Sequence, residues 1–578
     1  MKVAGFSRTL IAVAGIAVAL SSCGNSNKVV TPIVKKAIIT IGVPFLPTNF
    51  NPNTPDGDNF VTQQVMDQVW PQIFINGGDD QPHLDTAVVT QAELISINPQ
   101  VVTYQINPDA KWADGVPIRA DDFVYNWHAH IGVGLDASLN PYVAVDQPGW
   151  SDINSIVGSN DDTLVTVTFG HPFADWESLF SNLVPAHVGQ QLGWNQGFEK
   201  PSSSVEVSGG PYKISSEVPN SSLVLVPNPN FSGPKPYTSK LIFKVIQSSN
   251  QMVQALESGK VNFIMGQSYP SVIAGLSNDT YIKKQVNASN TSLTLAFNPL
   301  ASNLTSPIER RAIASIIDRQ QLANDTTGFE IPSIGTLDNH FAVPGLPGYR
   351  GDAGIFGSPS IDQSQRLITQ AGFNISLYGV VSDGSGTPLE FNLIYDSTDQ
   401  FQVQTAQLLQ AQWRDAGIQI NLSALNGPQA EVQAINSGSF QIALYSERSS
   451  DFESRTSATL TEGLSKAALG LGGNWPTPSG ILIDPSLGLD PTAASLAVLA
   501  SSTLDTLKGR DYYQQSDLDL WNDAITIPLF QEPELFAWSA NIANVMPNRS
   551  IFGPLWNANS WVELPLSSLN SPTTTPGG

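Results

Sequence analysis

A single cysteine, Cys23, in a chain of 578 residues is the strongest constraint on what can fold here. No internal disulfide can form, and cysteine-based zinc or iron–sulfur sites are excluded, so the structure must be held by apolar packing. The material for that is present: 41% of the residues are hydrophobic, an ordinary share for a globular protein. The length suits about four domain-sized masses or two large lobes. Acidic residues outnumber basic ones by 50 to 27, a formal net charge of −23. Nucleic acid and anionic lipid surfaces, which need a Lys/Arg surplus, are therefore poor partners. Charged residues make up only 13% of the chain, against about 25% on average, so the surface is built mostly from Ser, Thr, Asn, Gln and Gly. That composition suits an extracellular protein or an acidic medium.

The place of the cysteine is informative. Lys2 and Arg8 precede an apolar run over 10–20 (LIAVAGIAVAL), then Leu20-Ser21-Ser22-Cys23-Gly24. A charged start, a short apolar stretch and small residues before a cut form a secretory signal over 1–22. Eleven apolar residues fall short of the roughly 20 that span a bilayer as a helix. Leu-Ser-Ser-Cys also resembles the bacterial lipobox. On that resemblance Cys23 is acylated and tethers the protein to the outer face of the cell membrane.

Residues 24–36 read as a polar tether after Cys23, and 567–578 (SSLNSPTTTPGG) as a disordered tail. Between them the pattern is mixed. The β-branched run at 37–43 and the alternating runs at 101–106 and 164–169 predict strands. Further strands are expected at 240–246, 293–297 and 418–422. Ser306-Pro307-Ile308-Glu309 is a capping box with proline at the first helical position. A second helix is expected from about Asp399 to Ala416, ending at Gly417. Strands alternating with helices imply α/β lobes with open, largely parallel sheets.

Catalytic chemistry finds little support. There is no Gly-x-Ser-x-Gly elbow and no phosphate-binding Gly-x4-Gly-Lys-Ser/Thr. His128 and His130, two apart on a helix, point about 200° from each other and cannot chelate one ion together. Gly470–Gly473 lack a dinucleotide fingerprint, and the adjacent carboxylates Asp121-Asp122 and Asp161-Asp162 are expected to be solvated. No catalytic residue, metal or cofactor is assigned, and the chain is not expected to be an enzyme.

Several separated segments together resemble the family 5 solute-binding proteins of ABC importers, the oligopeptide- and dipeptide-binding type. The most specific is 101–127, VVTYQINPDAKWADGVPIRADDFVYNW. It has the strand, aromatic-x-Asp-Gly turn, proline and acidic helix start of that family, although Asn107 stands where the family usually has Lys or Arg. In the same order come Thr48-Asn49-Phe50-Asn51-Pro52, Gly209-Gly210-Pro211-Tyr212-Lys213 with Asn228-Pro229-Asn230-Phe231, and Ala255-Leu256-Glu257-Ser258-Gly259-Lys260-Val261-Asn262. Ala296-Phe297-Asn298, Ile317-Asp318-Arg319 and Ile525-Thr526-Ile527-Pro528-Leu529 complete the series.

The resemblance implies a two-lobed, periplasmic-binding-protein-like clamp (type II, cluster C). Lobe I would be 37–295 plus 523–566, with an inserted subdomain near 60–205, and lobe II 296–522. The hinge would lie near 297–300 and 525–529. It implies a monomer that encloses a peptide or similar small solute and delivers it to an ABC permease with cytoplasmic ATPases. The ligand-binding candidates are Pro47, Thr48 and Asn49 from lobe I, and Tyr445, Ser446, Glu447, Arg448, Asp451, Asn474 and Trp475 from lobe II. In peptide-binding relatives an acidic residue after the strand comparable to 440–445 pairs with the peptide amine. Aligned without gaps, Arg448 takes that place and favours an anion. With a three-residue insertion, Asp451-Phe452 takes it and favours an amine. The sequence leaves both open, as it does a nickel chelate, haem or oligosaccharide in place of peptide. A second reading is a clamp without transport duty, acting as a cell-envelope regulator or adaptor, for which the divergent acidic position and 553–557 (GPLWN) leave room. The 12 tryptophans are expected mostly in the core.

Overall fold

A ten-stranded mixed sheet organises the chain. The computed structural model describes residues 37–135, 139–145, 147–199, 207–267, 269–276, 280–328, 334–458, 491–550 and 553–565. At one end of the sheet Gln419–Leu425, Glu390–Asp396 and Ile442–Arg448 form a parallel trio. Toward the other, Phe263–Gln267, Ala37–Val43 and Thr238–Val245 form a second. Two long strands, Ile282–Phe297 and Thr526–Ser539, join the trios and run antiparallel to each other and to their neighbours. The antiparallel strands Ser222–Pro227 and Tyr212–Val218 finish the edge. The expectation of largely parallel sheets is thus corrected: it holds inside each trio only. A chain that crosses to a second lobe and returns must lay its two crossings antiparallel, and short-looped hairpins are antiparallel by construction.

Each trio belongs to its own apolar core. One core gathers Ile39, Ile41, Leu241 and Phe243 with Phe536 and Trp538. The other gathers Leu393, Ile442 and Leu444 with Leu293, Leu295, Ile527, Leu529 and Phe530. These are the two lobes. The strand Thr526–Ser539 therefore changes core midway along its length, between Phe530 and Phe536. Its almost unbroken buried pattern is that of a strand covered on both faces. Opposite this exchange the ladder to Ile282–Phe297 shifts register between Ala288 and Ser292. The exchange of cores lies inside the strands, ahead of 297–300 on the way out and beyond 525–529 on the way back.

An antiparallel sheet of Val89–Ile97, Gln100–Ile106, Leu164–Phe169 and Ile153–Ser159 forms the subdomain inserted in the first lobe. The helix Ala120–His130 packs on it, burying Phe123 among Tyr104 and Phe180. The Asp-Gly turn before the helix works as its residues suggest: Gly115 has φ +94°, and Trp112 N–H donates to Val116 O at 2.8 Å. Asp122 corrects the expectation of solvated carboxylates. It is buried, accepting from the backbone N–H of Arg119 (3.0 Å) and of Ala186 (2.8 Å). Burial outweighs these bonds and lifts its pKa to about 6. His130 stacks on Trp150 at 4.0 Å, and its Nδ1 lies 2.8 Å from Asn126 O. Burial lowers its pKa to about 4.

Local signals elsewhere read as expected. Ser306 and Glu309 form a reciprocal capping box at the helix Pro307–Ala314. Asp399 caps Gln400–Asp415 through Phe401 N–H at 2.8 Å. Gly417 follows at φ +85°, where an added Cβ would fall 1.8 Å from Gly379 O. Arg319 is buried and ties the second lobe together, donating to Phe356 O, Leu337 O, Pro528 O and Asp338 Oδ1. Trp70, Trp112, Trp194, Trp413 and Trp561 are all fully buried. Among the described residues no helix is long and apolar enough to cross a membrane.

Candidate functional site: a cavity between the lobes

The strand Ile442–Arg448 carries four of the candidate side chains to the lobe boundary, and Asp451 follows in the turn after it. It pairs with the first crossing strand, Glu447 opposite Ser292 and Arg448 opposite Thr291. Because side chains alternate across a strand, Tyr445 and Glu447 project on one face, toward Thr294 and His340. Ser446 and Arg448 project on the other, where Ser446 Oγ donates to Glu532 Oε1 at 2.6 Å. The chain then turns sharply, fixed by Ser449 N–H to Asn290 O (2.8 Å) and Ser450 N–H to Thr456 Oγ1 (3.0 Å). A short helix over 453–458 follows.

This turn touches the first lobe directly. Asp451 Oδ2 accepts from Asn76 Nδ2 at 2.9 Å, and its Oδ1 accepts from Asn290 Nδ2 at 2.8 Å. Asn76 ends a first-lobe strand, Phe74–Asn76, and Asn290 sits in the register shift of the crossing strand. Ser454 N–H donates to Asp175 Oδ2 at 3.0 Å, and Arg455 Nη2 to Gln147 Oε1 at 2.8 Å. The Arg448 guanidinium lies over the Phe60 ring, 5.4 Å from its centroid. Phe60 opens the helix Phe60–Met66, whose start Asn59 caps through Thr62 N–H.

Between these contacts is a cavity of about 270 Å³, lined from the first lobe by Asp58, Asn59, Phe60 and Gln147 among others, and from the second by Arg448 and Arg455. Asp58 is the carboxylate on its wall, and further carboxyls on the neighbouring strands and turn are shifted by burial. Burial raises the Asp58 carboxyl, against the pull of Arg455 and Arg448. Burial lifts Glu534 to about 7, opposed by Arg448, and Glu453 to about 7, with Asp175 adding to the rise. It lifts Glu447 to about 7 as well, against His340, Tyr445 and Thr294. Among the described residues no cluster of His, Cys, Asp and Glu could hold a metal ion.

The remaining candidates sit elsewhere. Pro47 and Thr48 line a separate hollow of about 510 Å³ with Glu199 and Glu217, all of the first lobe. Asn49 is buried, its amide donating to Asn195 O at 2.8 Å and its Oδ1 accepting from Asn51 N–H. Cys23, Asn474 and Trp475 lie outside the described residues. Sequence reasoning missed Asp58, Phe60, Asn76, Gln147 and Arg455. No local pattern joins Asn76 to Asp451 across 375 positions or Gln147 to Arg455 across 308.

The model of the bacterial extracellular solute-binding proteins, family 5, matches residues 84–461. An oligopeptide-binding protein, OppA, of Mycobacterium tuberculosis is 28% identical over 514 residues, 86% of this chain and 80% of its own. The solved structure of a periplasmic EDTA-binding protein, EppA, superposes with a TM-score of 0.80 at 26% identity, over 94% of this chain and 100% of that one. The oligopeptide-binding protein AppA of Bacillus subtilis, solved with a nonapeptide, shares the fold with a TM-score of 0.70 at 14% identity, over 92% and 99%. The order of segments read from the sequence, the two-lobed clamp with its inserted subdomain and the match over most of the chain agree: this protein belongs to the family 5 bacterial extracellular solute-binding proteins.

Proposed function

We propose that the protein is the capture component of an ABC importer. It takes a peptide or similar small solute between its lobes and presents it to a membrane permease driven by cytoplasmic ATPases. Acyl chains on Cys23 hold it to the outer face of the membrane, with 24–36 as the tether. The lobes are 37–295 plus 523–566 and 296–522, and the paired crossing strands are their hinge. The observation that carries this reading is the polar cavity of about 270 Å³ lined from both lobes. A ligand that touches both lobes binds the closed form better than the open one, and only such differential affinity can shift the population toward closure. A boundary packed solid with side chains would have favoured the adaptor reading. The oligopeptide in the name of the mycobacterial relative and the nonapeptide in AppA support the ligand class.

Native mass spectrometry of the freshly purified protein, followed by calorimetry with a peptide panel, tests the proposal. The expected result is a retained small solute or micromolar peptide binding. A protein that carries nothing and binds no peptide would overturn it. Cys23→Ser should move the protein from the membrane fraction to the soluble one, as membrane fractionation would show.

A further inference from the structure

Most polar groups around the cavity between the lobes are already engaged with one another. The Asn53 amide donates to Asn51 Oδ1 and Asn182 O. Gln63 donates to Asp67, Asn182 Oδ1 accepts from Gln72, and Gln147 accepts from Arg455. Two charged groups of opposite sign and opposite lobes differ. Arg448 lies over the Phe60 ring, a contact that engages none of its N–H donors and leaves them for an anion. Among the described residues it has no hydrogen bond and no carboxylate within ion-pair distance. Asp58, on the first-lobe wall of the same cavity, has neither a hydrogen bond nor an ion pair on its carboxylate among those residues. The two lie in each other's field without touching, and Glu534 lies in the field of Arg448 as well.

We propose that Asp58 and Arg448 together read a zwitterion, the Asp58 carboxylate taking a ligand's ammonium and the Arg448 guanidinium taking its carboxylate. This rests on the capture function proposed above and names its ligand: a short peptide or amino acid with both ends free. Because the two charges stand on different lobes, a molecule carrying only one charge engages one wall, while a zwitterion is gripped by both and favours closure. A blocked end removes one of the two charge contacts and with it the grip on that wall. The cavity, at about 270 Å³, is close to the lower end of the roughly 300–1,000 Å³ usual for small-ligand sites, so a short ligand fits it better than a long one.

Calorimetry on the full-length protein with alanine, dialanine and trialanine, then with the N-acetyl and the C-amide form of the best binder, tests this. Each block should weaken wild-type binding about ten- to hundredfold, the range expected for one hydrogen-bonded charge contact. Asp58→Asn should lose discrimination against the acetylated form and keep it against the amide, and Arg448→Gln should do the reverse. Both positions are solvent-accessible, and unchanged circular dichroism melts would show that the fold is intact. Blocked forms that bind wild type as tightly as the free peptide would overturn the zwitterion pair on the unmodified protein alone, and so would variants that retain full discrimination. No binding of any of the three free probes would overturn the short zwitterionic ligand, and the capture reading falls with it only if the wider peptide panel and the search for a retained solute are negative too.

Discussion

Replacing Asp451 by Asn tests how the lobes stay together. The wild-type carboxylate accepts two amide hydrogen bonds, from Asn76 at 2.9 Å and from Asn290 at 2.8 Å. The first reaches across to a first-lobe strand away from the crossing, whereas the second ties Asp451 to the crossing strand itself. An asparagine at 451 offers one oxygen and one NH2, so at least one of the two amide donors then meets a donor. A hydrogen bond to a charged group is worth about 1.5–3 kcal/mol. Taking about 2 kcal/mol for the loss across the boundary, the closure constant falls about 30-fold. Where the closed form is the minor ligand-free state, apparent ligand affinity falls by the same factor. Asn76→Ala removes the opposite arm and should have a similar effect, and the double variant should cost little more than either single one, because both delete the same contact. Small-angle scattering of ligand-free protein gives the open fraction, and calorimetry with a peptide gives the affinity. If Asp451 instead met the ligand's amine, Asp451→Asn would weaken binding while Asn76→Ala left it unchanged. That outcome, or fully additive effects, would refute the latch.

Arg319→Met should destabilise the protein by about 3 kcal/mol in urea unfolding, since it strands three carbonyls and Asp338. That is the lower end of the range for breaking a buried pair, because Asp338 is 27% exposed; a loss below about 1 kcal/mol would contradict the role assigned to it. Gly417→Ala forces a side chain into φ +85° and onto Gly379 O, and a loss of about 1–3 kcal/mol or more is expected in the same assay. Glu431, Glu447, Glu453 and Glu534 have folded pKa values raised from 4.5 to about 7, burial being the largest cause in each. The folded state therefore holds more protons than the unfolded one between these values, so stability should fall as pH rises from about 4.5 to 7 and level off above. Thermal melts at pH 5 and pH 7.5 check this, and a higher midpoint at pH 7.5 would speak against it.

What the sequence determined by itself lies close together along the chain. The strand at Ala37–Val43, the capping box at Ser306–Glu309, the cap at Asp399 and the turn at Gly115 depend on a handful of neighbouring residues, and their spacing alone specifies them. The ordered series of short motifs was enough to identify the two-lobed clamp. The sequence also placed Arg448 and Asp451 near the boundary but left their roles undivided. Their division came from packing: Asp451 is drawn against Asn76 and Asn290, while Arg448 lies over Phe60 and lines the cavity. Burial of Asp122 and the first-lobe half of the site were hidden for the same reason. A side chain's surroundings are set by segments hundreds of residues away, brought together by two crossing strands, and periodicity carries no information about which distant surfaces will meet. The sequence wrote the pieces and their order, and the tertiary structure decided which charges face one another across the gap.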